Sequence, residues 1–240
     1  HTIMIKNYIA LDLETTGLHP SEDRILEIGA VKVVNGEITD RYETLVNPGM
    51  AISPRIQELT GINDAMAATG KDTKTAVTGL LDFCGDLPLL GHNILFDYSF
   101  VKKNAVNLGL TFEKDGVDTL KIARALLPDL EHKNLPYLCA YFKIEQERAH
   151  RASDDACAAM ELYRRLAVEF PDSPEELFAP KPLICKVKKQ GPITPAQKGY
   201  LNDLIKYHKI SLSVQIDTLT KNEASRIIDK IISEHGRILR

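Results

Sequence analysis

Asp12 and Glu14 stand two residues apart in Tyr8-Ile-Ala-Leu-Asp-Leu-Glu14, an otherwise apolar run. On a strand, positions i and i+2 share a face with their Cα atoms about 6.5 to 7 Å apart, so both carboxylates can reach one cation. Hard oxygen ligands of this kind suit Mg²⁺ or Mn²⁺ rather than zinc. With 17 Asp and 16 Glu in 240 residues, one such pair arises by chance, and two solvated acids at a strand end remain the plain alternative. Thr15-Thr16-Gly17 follows as a loop in which a ligand could sit. Gly91-His92-Asn93-Ile94-Leu95-Phe96-Asp97 follows a short apolar run. Either it is a turn with Asn93 as helix cap and Asp97 as a first-turn charge, or Asp97 is aimed at a metal with His92 and Asn93 beside it. His150-Arg151-Ala152-Ser153-Asp154-Asp155 offers a base and two acids at the start of an alanine-rich segment. Both acids would also suit a helix N-terminus without any catalytic role.

The elements that must position these groups follow from periodicity. Ile9, Leu11 and Leu13 alternate with Ala10, Asp12 and Glu14, which predicts a strand with both acids on one side. Arg24 to Val34 is apolar on both faces, Asn35-Gly36 is a strong hairpin signal, and Glu37 to Val46 returns, so the sheet opens antiparallel. Helical spacing predicts a short helix near Pro54 to Leu59 and a longer one near Thr73 to Cys84. A short strand is expected at Leu87 to Leu90, then helices over 94–108, 118–126, 135–142 and 152–169. This order describes an α/β protein with a mixed sheet flanked by helices.

Composition places the chain among ordinary folded proteins, with 44% apolar and 26% charged residues. No apolar run is long enough to span a bilayer and no signal-peptide pattern is present, so no membrane association and a cytoplasmic location are expected. The fold is read from Met4 onward, leaving His1 to Ile3 aside. The four cysteines, Cys84, Cys139, Cys157 and Cys185, have neither zinc-ligand nor disulfide-framework spacing and read as free thiols. Net charge is −3 but divides unevenly, at −10 over residues 1–180 and +7 over residues 181–240. Five of the 12 prolines fall between Pro171 and Pro192. The expected parse is a main domain over 4–172, a Pro-rich linker over 173–192 and a basic two-helix module over 193–236. Thr194 with Gln197, and Thr220 with Glu223, form capping-box patterns at the starts of the two helices.

Taken in order, Asp12-x-Glu14, Gly91-His-Asn-x-x-Phe-Asp97 and His150-x4-Asp155 resemble the three motifs of the DEDDh branch of 3'→5' exonucleases. This is the family of proofreading subunits and domains of bacterial DNA polymerase III. Arg24-Ile-Leu-Glu-Ile-Gly-Ala-Val31, Leu45-Val-Asn-Pro48, Glu58-Leu-Thr-Gly-Ile62 and Asp118-Thr-Leu120 are also similar to the family's text, and the resemblance covers about residues 6–170. It implies a ribonuclease-H-like fold. It also implies Asp12, Glu14, Asp97 and Asp155 as ligands of two Mg²⁺ or Mn²⁺ ions and His150 as general base. Thr15, Thr16, Gly17, Leu18, His92, Asn93 and Phe96 would contact the terminal nucleotide. Asp154 sits at the spacing used by the tyrosine-based sister branch, and Ser153 stands where a larger apolar residue is usual.

The function implied is hydrolysis of the 3'-terminal phosphodiester of DNA, releasing nucleoside 5'-monophosphates in proofreading or repair, with single-stranded 3' ends favoured. The alternatives are an RNA exonuclease of the same superfamily, and a non-catalytic nucleic-acid-binding or assembly subunit. The basic tail loosely resembles small helical modules that grip DNA. Its lysines and arginine could contact phosphates, or the module could dock a DNA polymerase or helicase.

Overall fold

The computed structural model describes residues 4–146 and 150–239. Three strands open the chain: β1 (Tyr8–Thr15), β2 (Ile25–Val34) and β3 (Glu37–Leu45). They pair antiparallel, and the β2–β3 turn has Asn35 and Gly36 at positive φ of 53° and 80°, the geometry that an Asn-Gly hairpin supplies. Helices α1 (Pro54–Thr60), α2 (Asp64–Ala68) and α3 (Thr73–Cys84) lead to β4 (Leu89–Gly91). Then come α4 (Ile94–Asn107), β5 (Asp115–Asp118), α5 (Thr119–Leu126), α6 (Leu135–Phe142), α7 (Ala152–Glu169) and β6 (Lys181–Pro182). The sheet order is β3-β2-β1-β4-β5-β6. β4 runs parallel to β1 and to β5, while β6 pairs antiparallel with β5, so the sheet is mixed.

Each face of the sheet carries its own core. Tyr8, Ala10, Val31 and Val33 pack against α5, α6 and α7 through Ile122, Leu138, Ala156, Ala159 and Leu166. Ile9, Leu11, Leu13 and Ile28 pack on the other side against α3 and α4 through Val77, Leu80, Phe100 and Val101. The period-two reading of β1 is therefore correct residue by residue. α7 lies tightly on β2: a Cβ added to Gly29 would come 2.2 Å from the Ser153 amide nitrogen, so only glycine permits this approach.

Three elements lie outside the sequence expectation. α2 is only five residues long, and β5 and β6 are short strands rich in Gly, Asp, Lys and Pro. Part of the expected linker thus joins the sheet as its edge, with Phe178 buried and Leu183 and Cys185 packed on the α3–α4 core. The tail forms α8 (Pro195–His208) and α9 (Lys221–His235), each opened by the expected capping box. Leu201, Leu204, Leu219, Ala224, Ile228 and Ile231 form a small core of their own. Val214 bridges to Met50, joining this pair of helices to the loop after β3. The four cysteines are free, and no helix among the described residues is long and apolar enough to cross a membrane.

Candidate active site

Tyr8 and Ala10 face the α7 side of the sheet, and Asp12 and Glu14 continue that face toward the strand's end. Asp155, in the first turn of α7, meets them there: one carboxylate oxygen each from Asp12, Glu14 and Asp155 lie within 4.8 Å of one another. Asp97 arrives from the first turn of α4 on the opposite side. Pairing of β1 with β4 ends at Ala10, and beyond it Asp97 Oδ1 accepts the backbone N–H of Leu13 at 2.9 Å. The fourth acid is thereby fixed to the same strand. The cluster forms with Asp155, which agrees with the His-x4-Asp reading over the Asp154 spacing.

These acids repel one another in a poorly hydrated place. Burial, then the charges of Asp97, Asp155, Glu14 and Glu27, raise the Asp12 carboxyl well above its ordinary range. Burial and the same kind of neighbours push Glu14 up to about 8. Burial raises Asp97 strongly against the lowering effect of the Leu13 amide, and raises Asp155 to about 6. The His150 amide, the His150 charge and the Gln146 side chain pull Asp155 back down. Asp12 Oδ2 is buried with no hydrogen-bond partner. An orphaned carboxylate oxygen among ionisable oxygens that resist their own charge is a group that a divalent cation would satisfy. The donor set is all oxygen and fits a hard divalent metal.

The site has a support that the sequence reading did not single out. Glu27 on β2 lies opposite Glu14 in the β1–β2 register. Its Oε1 accepts the Ala152 amide at 2.8 Å, capping α7 from another element, and its Oε2 accepts from Arg151 Nη2 at 2.6 Å. A lone acid in the apolar run Ile25 to Val34 was the available signal. Ser153, buried, donates to Glu43 on β3. A larger apolar residue there would leave that acid without this partner. His150 precedes the helix in the left-handed region at φ 66°, an uncommon conformation for a side-chain-bearing residue.

The expected nucleotide-contact residues divide. Thr15 is buried and its hydroxyl donates to the Gly17 carbonyl at 2.7 Å. The Thr16 hydroxyl accepts the Arg24 amide at 2.9 Å, closing the loop at its base. At Gly17 a Cβ would come 2.4 Å from the Asp23 carboxylate, and Leu18 stands 76% exposed beside it. Phe96 is half-buried against Phe100. Asn93 occupies the N-cap position of α4 at φ 65° with no side-chain cap bond, because capping needs an extended backbone there. Its amide instead donates to Asp118 Oδ1. Both ring nitrogens of His92 are engaged, with Thr119 Oγ1 at 2.8 Å and the Lys133 carbonyl at 2.7 Å, and burial lowers its pKa. The ring braces the β4–α4 turn against α5 and has no free nitrogen for a nucleotide.

Comparison with known proteins places this geometry. A family model described as exonuclease, of the RNase T type, matches residues 9–163. The PolC-type DNA polymerase III of Caldanaerobacter subterraneus subsp. tengcongensis is 40% identical over 159 residues, covering 66% of this chain and 11% of the relative. That of Bacillus subtilis is 37% identical over 164 residues, or 67% of this chain and 11% of the relative. The chain thus spans about a tenth of the length of these curated relatives. E. coli exonuclease I in complex with a dT13 oligonucleotide superposes with a TM-score of 0.63 at 19% identity, over 70% of this chain and 42% of that one. Exonuclease X in complex with 5' overhanging duplex DNA gives 0.52 at 24%, over 71% and 96%. At these identities the two structures speak for the ribonuclease-H-like fold.

Proposed function

The chain belongs to the exonuclease family whose model spans residues 9–163, and on that premise we propose that it removes nucleotides from the 3' ends of DNA, single strands favoured. The observation that carries this is the convergence of Asp12, Glu14 and Asp155 from β1 and α7, with Asp97 tied to the same strand by the Leu13 amide. The proposed ligands are two Mg²⁺ or Mn²⁺ ions, held by these four acids. When bound, such ions neutralise the charge that builds on the attacking and leaving oxygens of an in-line displacement at phosphorus.

The chain's own residues do the rest. His150, at the entrance of α7, takes the proton of the attacking water; a neutral imidazole nitrogen offers a free lone pair for this, whereas a metal-committed carboxylate does not. Glu27 and Arg151 set the start of α7 and so the position of both His150 and Asp155. Leu18 and Phe96 supply apolar surface for the terminal base, and Thr15, Thr16, Gly17 and Asn93 border its sugar and phosphate. The products are nucleoside 5'-monophosphates. Residues 4–172 are the proposed catalytic unit, the connection 173–192 lends it the edge strand β6, and 193–236 form a helical module docked on it. Proofreading or repair beside a DNA polymerase or helicase is the role this activity would fit.

The test uses 3'-labelled single-stranded DNA and RNA of one sequence with Mg²⁺ or Mn²⁺, for the wild type and Asp12→Ala. Stepwise release of 5'-mononucleotides from DNA by the wild type alone is expected. Preference for RNA would move the assignment to an RNA exonuclease, and no cleavage of either polymer would move it to a binding subunit.

A further inference from the structure

The C-terminal helices are fastened to the loop that leaves β1. Arg24 closes that loop, and its guanidinium donates to the Pro48 carbonyl at 2.9 Å, the Thr218 hydroxyl at 2.6 Å and the Glu223 carboxylate at 3.2 Å. Both side chains of the Arg24–Glu223 pair are largely withdrawn from solvent, at 12% and 13% exposure. Less than one turn along α9, Arg226 donates to the Ser21 carbonyl at 3.1 Å. This docking leaves a cleft of about 390 Å³ between the loop, α4, α9 and the strap that follows β6. Its floor is apolar, from Pro20, Cys185 and Val187, its rim carries the exposed Lys186, Lys188 and Arg226, and half-buried Lys103 also lines it with Nζ donating to the Asp23 carbonyl at 3.4 Å. The single acid lining it, Glu223, is already committed to Arg24. A cleft lined by one sign of charge focuses its potential, here positive on a chain whose first 180 residues sum to −10.

Two connections place this cleft beside the acids. Pro20 and Ser21 line it and lie two and three residues past Leu18, in the same loop as Thr16 to Leu18. On α4, Ser99 and Lys103 line it, and Lys103 lies six residues beyond Asp97, about 9 Å along the helix axis. A strand whose 3' end lies at the acids has its preceding nucleotides within reach of this rim. We infer that the cleft binds an internal nucleotide of the substrate strand, its phosphodiester held by Lys103, Lys186, Lys188 and Arg226 and its base or sugar laid on the apolar floor. The assignment rests on the proposed action at 3' ends, and its size suits a single nucleotide unit. Cationic grooves that track a backbone bind single strands with little regard for sequence.

Lys186 and Lys188 are exposed on the strap, so Lys186→Glu/Lys188→Glu reverses two charges without disturbing the core. Binding of fluorescent oligothymidylates is followed by anisotropy across salt concentrations, in the full chain carrying Asp12→Asn so that the strand survives. The double variant should weaken dodecamer binding about tenfold or more. It should also flatten the slope of log affinity against log salt by about 0.7 to 1.4, the loss of one or two phosphate contacts. Unchanged dodecamer affinity overturns the inference, and so does a loss of affinity with an unaltered salt slope. If thymidine 5'-monophosphate inhibition disappears while dodecamer binding holds, the cleft is a product site and the inference also falls. Absence of hydrolysis by the wild type would overturn the exonuclease reading alone, since the anisotropy arm needs no turnover.

Discussion

Glu27 and Arg151, 124 residues apart in sequence, meet in a charge-assisted pair at the foot of α7, with Arg151 Nη2 2.6 Å from Glu27 Oε2. The same carboxylate caps the helix through the Ala152 amide, so one side chain on β2 fixes the element that carries Asp155. Glu27→Gln keeps the shape but loses the charge that holds Arg151, and should cost about 1 to 3 kcal/mol of stability. Its effect on activity should appear mainly in kcat and in the Mg²⁺ concentration needed for half activity, with KM for DNA little changed. Thermal melting and metal titration of the rate check both parts.

Removing a ligand acid tests the centre directly. Asp12→Asn or Asp155→Asn should lower kcat about a thousandfold or more, because each acid helps hold the charge that neutralises the transition state. In the absence of metal the same variants should melt higher than wild type, since each removes a buried repulsion. Calorimetry with and without Mn²⁺ distinguishes this from general damage, which would lower the melting temperature in both conditions.

The raised carboxyls also predict a pH dependence of stability in the metal-free protein. Glu14 and Asp155 bind their protons more tightly folded than unfolded, so their contribution is present below the ordinary carboxyl range. It is lost as pH rises through about 6 for Asp155 and about 8 for Glu14. The melting temperature should therefore fall between about pH 5 and pH 8 without metal, and this fall should shrink with saturating Mg²⁺. Glu14→Gln should flatten the upper part of the curve and raise the metal-free melting temperature near pH 8 by roughly 2 to 8 °C, equivalent to about 1 to 2 kcal/mol.

His150→Gln should reduce kcat about 10² to 10⁴-fold while leaving metal-dependent stabilisation in place, as expected for loss of a proton acceptor rather than of a ligand. Single-turnover rates and metal-dependent melting of the wild type and variant check both parts; an unchanged rate would remove His150 from the proton path.

Much of the site could be read from the chain because strand alternation and motif spacing are local. Asp12 and Glu14 share a face by period two, and the Asn35-Gly36 turn fixes which strand lies beside them. What stayed hidden depends on distant partners. Asp115-Gly-Val-Asp118 has weak strand propensity and becomes β5 by parallel pairing with β4, while Lys181-Pro182 can pair only at the sheet's edge, where the missing proline N–H is tolerated. His92 looked available for a nucleotide, yet Thr119 and Lys133 take both its nitrogens, a satisfaction no spacing rule foretells. Glu27 reads as one residue of the strand over Arg24 to Val34, and its capping role appears only once α7 is laid across β2.

The seat of α7 against Gly29 has a consequence for when the nuclease becomes dangerous. Asp155 is 143 residues downstream of Asp12, so the cluster cannot close until a long stretch of chain has been made. Until the ribosome has delivered α7 and that helix has settled on the sheet, a nascent chain holds only three of the four acids and lacks the base. The proposed cutting activity would thus be withheld from chains that lack α7, by topology alone.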